Sequence, residues 1–301
     1  MFKNYALRRL QLLGVMVSHL IVPLWFIAQM ATTGSQDTST WLMHLFGAAT
    51  YVSYIALAGA WSWFGTYMQR ALPVIFVAVA FVTRPRYVSV TNSAEAAELR
   101  LLALALGILF LVLTILALIG RISRKPALEL TFPFRGGTYI VGQGGSTKVI
   151  NHHSRHPVQR YALDILKLGH FGVRAMGIYP VALKKYAIYG AEVVSPCEGV
   201  VAVVEEEQPD QIPPERDPTH PPGNYVEIES DGARILLGHL MKGSVTVNPG
   251  QRVRTGQVLG RVGNSGNTTE PHLHIHATRD GVGIPMRFKG RFLVRNDLVE
   301  T

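Results

Sequence analysis

Three stretches of this chain contain no Asp, Glu, Lys or Arg: residues 10–30, 41–69 and 101–120. A run of about 20 apolar residues is long enough to cross a hydrocarbon core of roughly 30 Å as a helix. Inside lipid only a helix or a closed barrel can satisfy its own backbone. Each stretch therefore reads as a membrane span. Between them, Ala71–Thr83 is apolar but short, bounded by Arg70 and Arg84. It crosses too if its helix begins near Thr66 and Arg70 reaches back to the interface; otherwise it is re-entrant or interfacial. The expectation is three or four spans, with four preferred. A cleaved signal peptide fits the first stretch poorly, because the apolar run is too long and no Ala-x-Ala site closes it. His19 and His44 read as helix-packing or interfacial residues.

The charge distribution supports this reading. Of 301 residues only 16% are charged, against about a quarter in soluble domains, and the formal net charge is +9. Residues 1–125 hold 10 Lys/Arg against 3 Asp/Glu, whereas residues 126–301 hold 19 against 17. The positive excess thus surrounds the apolar helices, which points to membrane lipid as a partner and away from nucleic acid. The single cysteine, Cys197, forms no intramolecular disulfide and reads as a small buried hydrophobe.

Orientation is less straightforward. Lys3, Arg8 and Arg9 before the first span, and Arg121, Arg124 and Lys125 after the last, mark cytoplasmic flanks by the positive-inside rule. The Ser35–Ser39 loop lacks Lys and Arg, as an outside loop should. Four spans then leave the remainder of the chain in the cytoplasm; three would leave it outside.

From about Leu128 the texture changes to short β-rich runs separated by glycine: Thr138–Val141, Val193–Ser195, Gly199–Val204, Tyr225–Ile228, Ile235–Leu237, Val245–Val247, Val258–Val262 and His272–Ala277. This spacing predicts an all-β domain over 126–301, behind a helical membrane region over 1–125. Only Phe171–Lys185 offers a competing helical pattern. Glu205–Gly223, with six prolines, reads as an extended loop on the rim.

Nine of the 11 histidines lie in this half. In a strand, His272, His274 and His276 project from one face, about 6.5–7 Å apart, with Leu273 and Ile275 on the other. A second group, Asn151-His152-His153-Ser154-Arg155-His156, precedes Asp164. Two histidine clusters and a carboxylate in one small β domain point to zinc. His-Glu-x-x-His is absent, which excludes a helix-based zinc peptidase.

These residues resemble the lysostaphin-type (LytM-like) zinc metallopeptidases, which cut peptides in peptidoglycan. The similarity runs over roughly 136–277. Its strongest stretch is Gly263-Asn264-Ser265-Gly266-Asn267-Thr268-Thr269-Glu270-Pro271-His272-Leu273-His274; Gly238-His239-Leu240, Asn248-Pro249-Gly250 and Gly199-Val200-Val201 also match. The resemblance implies a fold of antiparallel sheets and one Zn2+ held by His153, Asp164 and His274. It implies that His272 is the general base towards a zinc-bound water and that His239 donates to the oxyanion. The chain departs from the commoner pattern at Arg160, where a histidine ligand is usual. It is similar instead to a subgroup with Asn-x-His, an insertion, and Gln-Arg-Tyr-Ala-x-Asp. On that alignment His153 is the first ligand, with His156 and His152 as alternatives. His276 replaces a more usual acidic residue.

Other patterns are weaker. Gly142-Gln143-Gly144-Gly145 has no following Lys-Ser/Thr and reads as a tight turn, not a phosphate loop. The hairpin around Val247–Gly256 lacks the modifiable lysine of a biotin or lipoyl carrier. Arg252, Arg254 and Arg261 read as a solvated strand face. The expected function is a membrane-anchored zinc endopeptidase acting on peptidoglycan; the alternative is a non-catalytic domain of the same fold that binds or activates a wall hydrolase. A wall hydrolase is useful only outside the bacterial cytoplasmic (inner) membrane, so the resemblance places the domain towards the periplasm or wall, against the charge count.

Overall fold

A computed structural model of the chain describes residues 10, 12–33, 37–85 and 93–301. Lys3, Arg8, Arg9, Ser35 and Gln36, on which the orientation reading leans, lie outside the described residues. The contacts divide the chain into two compact units, the larger formed chiefly by Ile119–Thr301 and the smaller by the helices before it.

Among the described residues, the smaller unit contains four helices long and apolar enough to cross a membrane: α1 (Leu12–Thr32), α2 (Thr38–Ala58), α3 (Thr66–Thr83) and α4 (Ala94–Gly120). The uncharged stretch 41–69 is therefore not a single span. It breaks at Gly59, whose extended backbone ends α2, and α3 then starts at Thr66 and carries Arg70 within it. Asp37 caps α2, accepting from the Ser39 and Thr40 amides at 2.9 and 3.1 Å, and its carboxylate pairs with Arg100 of α4 at 3.2 Å. A carboxylate at a helix N-terminus satisfies free amides and complements the helix dipole. Within α1, Val17–Ile21 forms a π turn, and the His19 Nε2 accepts from the Ala60 amide at 2.9 Å. His19 is thus a helix-packing residue. Phe26, Trp41, Tyr51, Ile55 and Trp61 form the unit's interior. Leu101, Ile108, Leu109, Val112 and Ile115 of α4 face outward, the inverted arrangement suited to lipid.

The larger unit is all-β. Its strands are β1 (Leu128–Leu130), β2 (Thr138–Gln143), β3 (Leu163–Leu168), β4 (Glu192–Val194), β5 (Gly199–Glu205), β6 (Asn224–Ser230), β7 (Ala233–Leu240), β8 (Arg252–Val253), β9 (Val258–Arg261), β10 (Leu273–Arg279), β11 (Val282–Ile284), β12 (Met286–Phe288) and β13 (Leu298–Glu300). The principal sheet runs β13-β2-β3-β10-β7-β6-β5-β8, with β11 paired to β10; β4-β9 and β1-β12 form small sheets beside it. All pairings in the principal sheet are antiparallel. Leu273 and Ile275 are fully buried with Ile165, Ile235, Leu237, Val226 and Ile228. Full burial of such a side chain contributes about 1.5–3 kcal/mol, so the histidine-bearing strand is anchored by its opposite face.

Three expectations change. Phe171–Lys185 is no helix: it holds two single 3-10 turns, His170–Gly172 and Leu183–Lys185. Gly172, Gly177 and Pro180 interrupt any helical register. Val245–Val247 is no strand; the Thr246 amide bonds the Leu259 carbonyl at 2.9 Å without extending into a ladder. The proline-rich loop does more than line a rim. Its Gln211 and Asp217 amides donate to the Asn264 and Gly266 carbonyls, both at 2.9 Å, and Asp210 Oδ1 accepts from the Asn264 amide at 2.7 Å. The loop braces the glycine-rich turn that leads into β10.

Candidate metal centre

Strand register assembles the centre. Asp164 on β3 and Gly238 on β7 are the cross-strand partners of His274 on β10. Partners in an antiparallel pair project from the same face, so the carboxylate and the imidazole meet directly. His274 Nδ1 lies 3.1 Å from Asp164 Oδ1. The His153 ring arrives from the 3-10 turn His152–Arg155, with Nε2 at 3.0 and 3.1 Å from the two Asp164 oxygens. Asn151 sets that turn. Fully buried, it accepts from the His153 amide at 3.1 Å and donates to the Gly145 and Ala162 carbonyls at 2.9 and 3.1 Å. Gln159 Oε1 lies 3.2 Å from His153 Nδ1 and orients the ring's other nitrogen.

His272 and His239 complete the cluster. His272 Nε2 is 3.5 Å from Asp164 Oδ1, and the His239 and His272 ring centroids are 4.7 Å apart. His239 Nδ1 donates to the Ser265 carbonyl at 2.8 Å, and His272 Nδ1 donates to the Glu270 carbonyl at the same distance. A carbonyl can only accept, so each neutral ring carries its proton on Nδ1 and keeps a lone pair on Nε2. Donation from His239 Nε2 to an oxyanion therefore requires a second proton on that ring. His239 occupies the left-handed region at φ 62, uncommon for a non-glycine residue. It is the extra residue where the β6–β7 register shifts, with Tyr225 opposite Gly238 and Asn224 opposite Leu240. Its amide is held by the Pro222 carbonyl at 2.9 Å. The bulge turns the side chain out of the ladder and into the cluster.

His276 follows the same alternation. Its Nδ1 lies 3.0 Å from His274 Nε2, so it holds the ligand-candidate ring in the orientation that aims Nδ1 at Asp164. His156 is exposed and its backbone amide donates to the His153 carbonyl; the structure brings His153, not His156, to Asp164. His152 stands beside His153, ring centroids 3.9 Å apart. His152, His153 and Asp164 offer donor atoms within 4.8 Å of one another.

The electrostatics suit a cation. Burial pushes the Asp164 carboxyl up, but the neighbouring His153 and His272 outweigh it and hold the group well below the usual carboxylate range. Burial, reinforced by the neighbouring imidazoles, holds His239 well below its ordinary value. Burial also lowers His274 and lowers His276 to about 3. Only His272 goes the other way, because Asp164 overcomes the burial. Metal ligation needs a deprotonated carboxylate and neutral imidazoles. A donor set of two imidazole nitrogens and one carboxylate oxygen is that of an open, catalytic zinc site. The residues fit the metal.

Thr268 and Glu270 carry no role in the sequence reading, and Arg174 is absent from it. Thr268 Oγ1 donates to the Glu270 carbonyl at 2.7 Å. The Glu270 carboxylate is gripped by Arg174.

Residues 183–285 match the sequence model of Peptidase family M23, so that segment carries a peptidase M23 domain. His153 and Asp164 lie before the matched segment, whereas His239, His272, His274 and His276 lie within it. Among solved structures, a zinc-containing peptidase from Vibrio cholerae is similar at 23% identity over 53% of this chain and 39% of that one, with a TM-score of 0.33. The antimicrobial peptidase lysostaphin from Staphylococcus simulans is similar at 19% identity over 47% and 43%, with a TM-score of 0.30. A chain of the SpoIIQ–SpoIIIAH pore-forming complex is similar at 21% over 40% and 59%, with a TM-score of 0.28. Each match spans less than two thirds of the related chain.

Proposed function

We propose that, with a peptidase M23 domain matched over residues 183–285, this chain is a membrane-anchored zinc endopeptidase that hydrolyses peptide bonds in peptidoglycan. The observation that carries the reading is the convergence of His153 Nε2 and His274 Nδ1 on the Asp164 carboxylate, with His272 and His239 beside them. His153, Asp164 and His274 would hold the ion. When bound, zinc supplies Lewis acidity that polarises a scissile carbonyl and acidifies water.

The chain's own residues account for the proton movements. His272 presents an Nε2 lone pair, fixed by its Nδ1 bond to Glu270, and takes a proton from the attacking water. It returns that proton to the leaving amine. The neutral His239 ring likewise presents Nε2 as an acceptor; once protonated, it becomes a donor to the oxyanion. His276 keeps the His274 ring aimed at Asp164, and Gln159 does the same for His153. The substrate reading places the domain outside the cytoplasmic membrane. With four crossing helices the chain returns to the side on which it began, so the N-terminus is then outside as well, against the positive-inside rule.

The test is digestion of purified peptidoglycan by the full chain in detergent, read by mass spectrometry of released muropeptides, with zinc content measured on the same sample. Stoichiometric zinc with new peptide termini is expected. A metal-free protein that leaves peptidoglycan intact would favour the binding or activating role instead. A C-terminal reporter active only in the cytoplasm would overturn the placement and the substrate with it.

A further inference from the structure

We infer that Arg174 is a positioning residue for His272, acting through Glu270; the inference rests on the catalytic reading of His272 given above. Arg174 is 1% exposed, and its guanidinium closes on one carboxylate. Nε donates to Glu270 Oε1 and Oε2 at 2.8 and 2.9 Å, and Nη2 lies 2.8 Å from Oε2. Nη2 also donates to the Ile178 carbonyl at 3.1 Å. A second grip comes from the same segment: the buried Tyr179 hydroxyl donates to the Thr269 carbonyl at 3.1 Å.

The far side of this clamp is the base. Glu270 is joined to His272 through Pro271 alone, and proline fixes φ near −65°. The Glu270 carbonyl accepts from both His272 Nδ1 and Thr268 Oγ1. Where Arg174 holds the Glu270 side chain, it also holds the residue whose carbonyl sets the plane and tautomer of the His272 ring. A buried ion pair is a poor stability device, since desolvation offsets most of the attraction. Its planar, two-pronged geometry is instead suited to fixing a position. The pair spans 96 residues of chain, linking an irregular segment of the domain to the turn that carries the base into β10.

The experiment uses the full chain in detergent micelles with ring-15N histidine. Arg174→Met/Glu270→Met removes both charges and strands neither. Four readouts are compared with wild type: the His272 Nδ1–H signal, zinc content, melting temperature, and kcat against KM on a cross-linked muropeptide dimer. The expected result is an unchanged melting temperature and full zinc. The His272 Nδ1–H signal should be lost to tautomer exchange while that of His239 persists. kcat should fall by about tenfold or more with KM within about twofold, in the range that small misplacements of reacting groups cost. A double variant with the wild-type His272 signal and kcat overturns the inference, and so does one that loses zinc and stability together with activity. If the double variant does not fold, Arg174→Lys, which keeps the charge without the two-pronged grip, carries the same comparison. Should wild type fail to cut the dimer, the peptidase reading falls, while the His272 signal still decides whether Arg174 positions the ring.

Discussion

Asp164 and His274 are direct partners across β3 and β10, and the Nδ1 of His274 lies 3.1 Å from Asp164 Oδ1. Two groups from distant parts of the chain are thereby held on one face by ladder hydrogen bonds, not by loops. Neither can move away from the other unless the strands separate.

Asp164→Ala is predicted to abolish zinc binding and hydrolysis together, because the carboxylate is the point on which His153, His272 and His274 converge. Even groups that only orient metal ligands are worth 10–100-fold in affinity, so losing the carboxylate should cost more than about 100-fold. Metal analysis after dialysis checks it; a zinc-replete Asp164→Ala protein would show that the ligand set is wrong.

His272→Ala is predicted to keep zinc and lose turnover by about 10²–10⁴-fold, the usual contribution of a general acid–base group. Metal content and muropeptide release measured on one preparation separate the two effects. Loss of the metal would make His272 a ligand and not the base.

His276→Ala leaves His274 Nε2 without its partner at 3.0 Å. Zinc affinity should fall by about 10–100-fold, as for other groups that orient a metal-bound histidine. His276→Glu supplies an acceptor again and should recover much of the loss. Competition against a chromophoric chelator gives the affinities; equal affinities in all three proteins would remove His276 from the centre.

Gly266→Ala tests the turn that leads into β10. Gly266 has φ +83, and an added Cβ would lie 2.4 Å from the Gly223 nitrogen. Strained backbone of this kind costs on the order of 1–3 kcal/mol, and the backbone clash should add to it. A lowered melting temperature of the full chain is expected, alongside reduced activity, since this turn also carries the Ser265 carbonyl that holds His239. A variant melting with wild type would mean that the turn yields more easily than its contacts indicate.

Some of this was legible in the chain itself because the signals were local. The alternation His272-Leu273-His274-Ile275-His276 announces a strand with one polar face, and β10 follows it from Leu273 onward, with His272 immediately before its first residue. The span lengths emerge from charge-free runs, although residues 41–69 merged the end of one helix with the start of the next, since charge does not mark a turn made of Gly, Trp and Ser. Strand β3 gives no alternating signal in the sequence, because Leu163-Asp164-Ile165-Leu166 is buried on both faces. Val245–Val247 carries strand residues but no neighbour forms a ladder with it. Arg174 and Glu270 could not be paired from sequence at all. Nothing in the text around either residue says that an irregular segment and a turn 96 positions away share one buried contact.

The place of β10 in its sheet has a further consequence. It is hydrogen-bonded to β3 on one side and to β7 on the other, and its inward side chains are wholly enclosed. Regions of this kind exchange their amide hydrogens only when a domain opens globally. The Asp164–His274 pair built there has no private fluctuation through which it could come apart. Any control exerted within the domain therefore falls on the groups carried by turns, His153 on its 3-10 turn among them, while the Asp164–His274 pair stays assembled for as long as the domain is folded.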